Sequence, residues 1–442
     1  ITSFKIHAMS SASGALLFVA PEVPALGYRT FWVQPCPAAN TPAASLSQFD
    51  LLIQQGKLWA GQLLENNPMC CTLKRTLTRF DKPQDYQIEN EFFSVQVNTT
   101  DGTLNLTDKR SNMLYSGLNR FVDNGDCGDT YNTCAPLQDK PISAEVCGIK
   151  RIEGSVEQAL EITLNLKIPS ALSVDRKSRG NHMATLPITT RVSLCGGIPR
   201  VDIHSSITNN ANDHRLRVHF PVPFAISQAH HGGSFEVLQQ AVGTPRFNHN
   251  WVEQPRPERA QRLFSTLTDG YNALTLAARG LPEVEARQSG DGQSELCLTL
   301  LRCTGWLSRD DFSARKGHAG PSLATPLAQM PGTYAFDYAI IPHAGSWQNG
   351  FTQAEAFDLP LRAIQTTQHS GKALSAAGLI DIIGQFSLTC IKAANDGSGL
   401  IVRGYRWGHS GKVALRCSLP LVTCEQVRLD EQVVKTIEIG SD

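Results

Sequence analysis

The sequence predicts an all-β fold: a large antiparallel β-supersandwich flanked by small β-sandwich domains. From about residue 86 onward, segments such as "FFSVQVN", "ALEITLNLKI" and "KVALRCSL" place apolar residues at every second position, as half-buried strands do. Gly, Pro, Asn and Asp separate these segments, and β-α-β alternation is absent from the pattern. We therefore expect antiparallel sheets packed face to face.

Shifts in composition divide the chain into three predicted parts. Residues 1–85 form a small N-terminal β region with one helical insertion, 86–355 form the central supersandwich, and 356–442 form a small C-terminal β-sandwich. The helix is predicted over 45–66, "SLSQFDLLIQQGKLWAGQLLEN", where the large apolar residues fall roughly on one face. The second boundary falls within "GSWQNGFTQAEAFDLPL", which interrupts the strand pattern.

Charge and length exclude some classes of partner. The chain has 442 residues with 40 basic and 40 acidic side chains, so nothing favours binding to nucleic acid or to an anionic membrane surface. No apolar run approaches the length of about 18 residues that a membrane span needs. We expect neither nucleic acid nor membrane as a partner, and a homo-oligomer stays open.

The N-terminus and the cysteines bear on the source of the chain. The start, "ITSFKIHAMS", has no initiator Met and no signal pattern, so we expect a piece of a longer polypeptide. Twelve cysteines are few for a disulfide scaffold of this length, and most lie in strand-like segments as small apolar residues. This usage favours a reducing cytoplasm.

Common catalytic motifs are absent from the sequence, including H-E-x-x-H, G-x-S-x-G, the Walker loop and G-x-G-x-x-G. His230 and His231 are predicted to lie in a turn, without zinc partners at usable spacing. A glycosidase needs only two neighbouring acids. The candidate pairs are Asp126 with Asp129 and Asp310 with Asp311, although such acids in loops are usually turn formers.

The loop "VDNGDCGDTYNTCAP", residues 122–136, concentrates acids and glycines between two strand-like segments. Three spaced Asp residues suggest calcium, but Cys134 stands where a calcium loop needs a bidentate Glu. A tight inter-strand loop explains the Asp and Gly residues, but it does not explain the aromatic hydroxyl of Tyr131.

A second polar cluster, "NDHRLRVHF", leads directly into a predicted strand. Its members are Asp213, His214, Arg215 and Arg217. Arginines here could hold a loop or a hydroxylated ligand through bidentate contacts. The alternative is a buried ion-pair network that anchors the turn.

Five segments together resemble the C-terminal β half of glycoside hydrolase family 38, the α-mannosidases. The likeness is closer to the bacterial branch that includes mannosylglycerate hydrolases, and residues 37–85 match least. The segments are "FVAPEVPALGYRTFWVQP" (18–35), "ENEFFSVQVNTTDGTLNLTDKRSNMLYSGLNRFVDNGDCGDTYNTCAP" (89–136), "NNANDHRLRVHFPVP" (209–223), "LCLTLLRCTGWLSRDDFSARKGHAGPSLATPLAQMPGTYAFDYAIIPH" (296–343) and "GLIVRGYRW" (399–407).

The resemblance implies a supersandwich of the galactose mutarotase-like type, and it implies what lies outside this chain. Family enzymes carry an N-terminal α/β barrel with a zinc ion, its His and Asp ligands and an Asp nucleophile, followed by a three-helix bundle. The retaining reaction forms a mannosyl-enzyme on that Asp. We therefore expect no catalytic residue and no metal ligand in this chain, and no activity of the chain alone on α-mannosides.

The resemblance also implies a substrate-binding contribution from Tyr131, Arg302, Asp126 and Asp129. In related enzymes a tyrosine on this loop reaches into the mannose pocket, and a basic residue from a later strand does likewise. Asp126 and Asp129 would fix the shape of the loop. We expect Tyr131 and Arg302 near each other at one edge of the sandwich. The competing expectation is that Tyr131 packs in the core and Arg302 pairs with a local acid.

Two alternatives to the hydrolase stay open. A carbohydrate-binding module would present a row of exposed aromatic residues, whereas the six tryptophans are spread singly along the chain. A structural or assembly sandwich would dimerise through a sheet face.

Overall fold

The computed structural model describes residues 4–10, 14–20, 22–24, 26–32, 86–248, 250–289, 292–367, 370–407 and 412–440. Across these ranges the chain is almost entirely β, with a single α-helix, which confirms the all-β prediction. The helix predicted over 45–66 lies outside the described residues.

The strands are short in the terminal regions and reach thirteen residues in the centre. In chain order they are β1 (Phe4–Ser10), β2 (Gly14–Ala20), β3 (Gly27–Arg29), β4 (Gln87–Glu89), β5 (Phe93–Val97), β6 (Leu104–Asp108), β7 (Met113–Leu118), β8 (Arg120–Gly125), β9 (Ile142–Ser143), β10 (Glu145–Glu153), β11 (Glu157–Pro169), β12 (Met183–Cys195), β13 (Val201–Asn209), β14 (His214–Val222), β15 (Gln228–Gly232), β16 (Val237–Ala241), β17 (Glu258–Ala260), β18 (Phe264–Thr268), β19 (Asn272–Ala278), β20 (Glu283–Gln288), β21 (Ser294–Arg302), β22 (Gly332–Ala344), β23 (Ala376–Gly378), β24 (Ile380–Ile383), β25 (Phe386–Ala393), β26 (Leu400–Arg406), β27 (Ala414–Cys417), β28 (Glu425–Val427) and β29 (Val433–Thr436).

Three antiparallel sheets form the central part. The largest has nine strands in the order β10-β11-β12-β13-β22-β19-β18-β15-β16. The second has six strands in the order β17-β20-β21-β14-β8-β9, and the third is the meander β4-β5-β6-β7. One apolar core joins all three sheets. Within it, Phe220 of the six-stranded sheet meets Tyr338 of the nine-stranded sheet edge to face at 5.9 Å.

The α-helix, α1 (Gln348–Asp358), was not predicted from the sequence. It buries Phe351, Ala354 and Phe357, which lie on one helical face. With only two large apolar side chains, the segment appeared in the sequence merely as a polar interruption. No helix in the described ranges combines the length and apolarity that a membrane crossing requires.

The terminal regions consist of small two-stranded sheets. Strand β3 pairs with β23, so one N-terminal strand joins the C-terminal region. The remaining pairs are β1-β2, β24-β27, β25-β26 and β28-β29. The domain boundaries at residues 85 and 355 stay predictions.

Strand β14 places the site. It lies between β8 and β21, with His214 opposite Gly125 and Arg215 opposite Arg302. The last residues of β8, the first residues of β14 and the last residues of β21 therefore lie side by side at one end of these strands. The loop that follows β8 carries Tyr131.

Candidate functional site

Asp126 holds the base of the Tyr131 loop, which we define as residues 126–134. Its side chain is fully buried. Oδ1 accepts hydrogen bonds from the backbone N–H groups of Gly128 (2.9 Å) and Cys134 (3.0 Å). Oδ2 accepts from Thr133 Oγ1 and from Arg302 Nε, both at 2.9 Å. The carboxylate thus ties the two ends of the loop together.

Asp129 holds the tip of the loop and is also fully buried. Oδ1 accepts from the N–H groups of Tyr131 and Asn132, each at 3.0 Å, while Arg315 Nη2 donates to Oδ2 at 2.5 Å. Burial alone would raise the pKa of Asp129. The Arg315 guanidinium and backbone N–H donors, including that of Arg309, outweigh burial and hold the pKa of Asp129 below its ordinary value.

Arg315 was not singled out from the sequence, although it lies in the quoted segment 296–343. Its guanidinium is buried and donates to the Asp129 carboxylate, to the Asn132 side-chain oxygen and to the Arg309 carbonyl oxygen. Because Asp129 and Arg315 are 186 positions apart, no local pattern could pair them. Arg315 fastens the Tyr131 loop to the segment that follows β21.

Tyr131 projects from this braced loop with 54% of its surface exposed. Its ring centroid lies 5.9 Å from the Arg315 guanidinium carbon. The hydroxyl lies beside Gly320, where an added Cβ would come within 3.0 Å of it. Within the described part of the chain, no residue forms a hydrogen bond with the Tyr131 hydroxyl. The core-packed alternative for Tyr131 is therefore wrong.

Arg302 comes to the Tyr131 loop, but it contacts the base and backbone of the loop. Nε donates to Asp126 Oδ2, Nη1 donates to the Thr130 carbonyl oxygen at 3.3 Å, and Nη2 donates to the Asp129 carbonyl oxygen. Arg302 pairs with the local acid Asp126, as the competing expectation states, and the predicted proximity of the Tyr131 and Arg302 side chains stays a prediction. In this geometry Arg302, Asp126 and Asp129 support Tyr131, and their contact with a substrate stays a prediction.

The cluster at the start of β14 is a buried ion-pair network. His214 Nδ1 lies 2.5 Å from Asp123 Oδ2, and Arg179 donates to the other oxygen of Asp123. Arg215 pairs with Glu258 at 2.6 Å, and Arg217 pairs with Glu285. Of the two readings of this cluster, the structure favours the network.

The three Asp residues that suggested a calcium site are each paired with a cationic side chain. Asp123 faces Arg179 and His214, Asp126 faces Arg302, and Asp129 faces Arg315. Each carboxylate charge is already balanced by a cationic side chain.

The remaining candidates from the sequence are the acidic pair Asp310 and Asp311 and the histidine pair His230 and His231. Asp311 pairs with Arg309, and Asp310 lies 3.4 Å from His318 Nε2. The turn predicted for His230 and His231 is wrong, because both lie in strand β15, where His231 is buried against Ser265.

One buried group in the described residues has the composition of a metal site: His219, Glu295 and Cys297, whose ligand atoms lie within 4.8 Å of one another. Arg287 Nε donates to Glu295 at 2.7 Å and Arg120 donates to it at 3.3 Å. A cation at this place would face two guanidinium groups. The zinc implied by the family resemblance therefore does not fit these residues.

The comparisons with known proteins agree with the sequence motifs. The model described as "Glycosyl hydrolases family 38 C-terminal domain" matches residues 88–312. The chain belongs to glycosyl hydrolase family 38. This family 38 chain is 27% identical over 374 residues to a protein of Halalkalibacterium halodurans that is provisionally named a mannosylglycerate hydrolase.

Two solved structures from Enterococcus faecalis share the fold of this family 38 chain. One is described as an alpha-mannosidase, with a TM-score of 0.71 and 26% identity. The other is described as a protein in glycosyl hydrolase family 38, with a TM-score of 0.70 and 24% identity. The chain is covered over 81% of its length by each structure and 80% by the H. halodurans protein, yet it spans only 40% to 42% of those proteins.

Gly128 lets the Tyr131 loop of the family 38 chain close tightly. An added Cβ would lie 2.0 Å from the Asn132 carbonyl oxygen. Since that backbone cannot move without opening the loop, we expect Gly128→Ala to lower the free energy of unfolding by about 1–3 kcal/mol. Urea denaturation measures the loss. Gly148→Ala is the matched control, because its Cβ would meet nothing within 4 Å. Equal stability of the two variants would contradict the close-packing interpretation.

Proposed function

We propose that this chain is the C-terminal β portion of a retaining α-mannosidase and that it completes the sugar pocket of a catalytic barrel. The observation that carries the proposal is Tyr131, an exposed tyrosine whose hydroxyl has no partner among the described residues, on a loop braced by buried charges. Family membership and the α-mannosidase among the similar structures support the substrate class. The proposed location is the cytoplasm, supported by a cysteine content that is low for a disulfide scaffold of this length.

The contribution of this chain is to bind and to orient. In this proposal the Tyr131 hydroxyl forms one hydrogen bond with a sugar hydroxyl. The Asp129–Arg315 pair holds the loop that carries Tyr131 in position. Because the loop is ordered by contacts already present in the protein, little ordering entropy is lost when sugar binds. The nucleophile and the zinc ion, which polarises the sugar hydroxyls when bound, belong to the barrel in this proposal.

Tyr131→Phe tests the pocket contribution in the full-length enzyme. The substitution removes one hydrogen bond to the sugar, so we expect turnover to fall by a factor that corresponds to about 1 kcal/mol or somewhat more. Folding should be nearly unchanged, because the ring stays and the hydroxyl has no partner within the described residues. Steady-state kinetics and thermal unfolding of both proteins measure the two effects. Tyr271→Phe, on an exposed turn, is the control. Unchanged turnover would contradict the assignment.

The isolated chain is expected to be inactive on aryl α-mannosides. In this proposal the nucleophile is supplied by the barrel, and no residue of this chain replaces it. Turnover is measured with the purified chain at increasing concentration. Activity that survives purification and scales with the chain would overturn the proposal.

A carbohydrate-binding module is the second candidate, favoured by Trp251. This exposed indole lies on the segment next to the Tyr131 loop, where Asn132 Nδ2 donates to Glu253 Oε1 at 2.5 Å. Binding of mannosides to the isolated chain, lost in Trp251→Ala, would favour this candidate.

A further inference from the structure

Two cysteines frame the Tyr131 loop at its base. The Cys127 N–H donates to the Cys134 carbonyl oxygen at 2.8 Å, and both side chains belong to one buried cluster with Phe312 and Ala314. The Cys134 N–H donates instead to Asp126 Oδ1 at 3.0 Å. The two thiols also contact each other. The backbone hydrogen bond and the thiol contact therefore bring the two sulfur atoms together at the base of the loop.

The two thiols have unequal surroundings. The Cys134 sulfur lies 3.4 Å from the Ser313 hydroxyl oxygen and 3.6 Å from the Ala135 carbonyl oxygen. The contacts with the Cys127 thiol, with Ser313 and with the Ala314 backbone lower the pKa of Cys134 to about 5 despite burial. The contact with Cys134 and burial raise the pKa of Cys127. Cys134 is therefore the more acidic thiol of the pair, which makes its sulfur the better nucleophile.

We propose that Cys127 and Cys134 form a reversible disulfide that closes the base of the Tyr131 loop when a peroxide is present. The Cys134 thiolate attacks one oxygen of hydrogen peroxide, breaks the O–O bond and becomes a sulfenic acid, with release of hydroxide. The Cys127 sulfur then attacks the Cys134 sulfur. The S–S bond forms, the S–O bond breaks, and the Cys127 proton leaves with the oxygen as water. The two thiols lose two electrons, and the peroxide is reduced.

The crosslink closes residues 127–134 into a ring that contains Tyr131. A short covalent ring removes conformations in which the loop opens. Hydrogen exchange within the loop therefore slows when the disulfide forms. A resulting effect on sugar binding rests on the proposed function, whereas the crosslink itself does not, so the two can fail separately.

Peptide mass mapping of the full chain tests the disulfide. The chain is treated with hydrogen peroxide, the remaining thiols are alkylated, and trypsin releases residues 121–150, because Lys140 is followed by Pro141. This peptide also contains Cys147, so Cys147→Ser is the background that removes the competing pair. We expect the peptide to lose two hydrogen atoms and escape alkylation, and dithiothreitol to reverse both changes. Amide exchange over 128–133 should slow severalfold on oxidation.

Single variants distinguish the roles of the two sulfurs. Cys127→Ser should leave a sulfenic acid on Cys134 that a dimedone probe captures, while Cys134→Ser should leave Cys127 reduced and unlabelled. If neither variant folds, fragment sequencing of the peptide from the wild-type chain decides the pairing. The proposal is overturned if both cysteines are alkylated after peroxide, if Cys134 goes directly to the sulfinic acid, or if Cys147 is the partner.

Discussion

Asp129→Ala is expected to lower the free energy of unfolding of the Tyr131 loop by about 3–5 kcal/mol, because it leaves the buried Arg315 guanidinium without its counter-charge. The N–H groups of Tyr131, Asn132 and Arg309 lose their acceptor at the same time. Urea denaturation followed by tryptophan fluorescence measures the global effect. Hydrogen exchange over 126–134 measures the local effect if the loop opens by itself.

Asp310→Ala is the matched control for this prediction. Asp310 lies in the neighbouring segment with its carboxylate exposed against His318, so its removal should change stability by no more than about 0.5 kcal/mol. In the full-length enzyme, Asp129→Ala should also lower turnover, because Tyr131 loses its support. A loss of stability no greater than that of Asp310→Ala, with unchanged exchange in the loop, would show that the Asp129–Arg315 pair does not hold the loop.

The contribution of His214 to the stability of the chain is expected to decline as pH rises from about 6.5 to 10. Both ring nitrogens of His214 face oxygen acceptors, Asp123 Oδ2 at 2.5 Å and Asn209 Oδ1 at 3.0 Å, so both carry protons. Asn209 is oriented by its side-chain N–H donation to the Met330 carbonyl oxygen. Burial alone would lower the pKa of His214, but the Asp123 carboxylate outweighs burial and raises the pKa to about 10.

The raised pKa of His214 determines how its contribution to the free energy of unfolding changes with pH. The folded state retains a proton that an unfolded histidine releases above about pH 6.5, so the stabilisation is complete below that pH and is lost as pH approaches 10. One proton gives a slope of at most about 1.4 kcal/mol per pH unit. Below pH 6.5 the sign reverses, because burial lowers the pKa of His219 and of His231 to about 4 and the unfolded state then binds the extra protons.

His214→Gln checks the origin of the alkaline slope. Glutamine cannot titrate, so the difference in unfolding free energy between the two proteins should shrink as pH rises from 7 to 10. Taking the difference removes the contributions of Lys, Tyr and other Cys groups that titrate in both proteins. A difference that is constant with pH would show that His214 does not carry the additional proton in the folded state.

Strands with one buried face were the most predictable elements of the fold. The alternation in "ALEITLNLKI" predicted β11, because Leu160, Ile162 and Leu164 point to the core while intervening positions do not. Strand β14 lacks this alternation of buried and exposed residues, since nearly all of it is buried, including Arg215 and Arg217. Its carboxylate partners are 43 and 68 positions away, and one sequence does not reveal such contacts.

The residues of the candidate site also differ in how far the sequence could predict them. Tyr131, with the acids that shape its loop, was predictable because Asp–Gly turn chemistry and the family motif lie within one short segment. Arg315 was not predictable, since a basic residue in a loop is usually solvated. The Asn132–Glu253 contact was missed because its two residues lie 121 positions apart in the chain.

The pairing of β3 with β23 constrains how the chain folds during synthesis. Tyr28 donates its hydroxyl hydrogen to the Leu374 carbonyl oxygen, a contact between residues 346 positions apart. At a synthesis rate of about 5–20 residues per second, β3 leaves the ribosome roughly 20–70 s before its partner strand exists. The central sheets can form in that interval, because their strands pair within the intervening segment. Strand β3 can therefore pair only after β23 has been made, and until then its unpaired edge is available to chaperones or to other nascent chains.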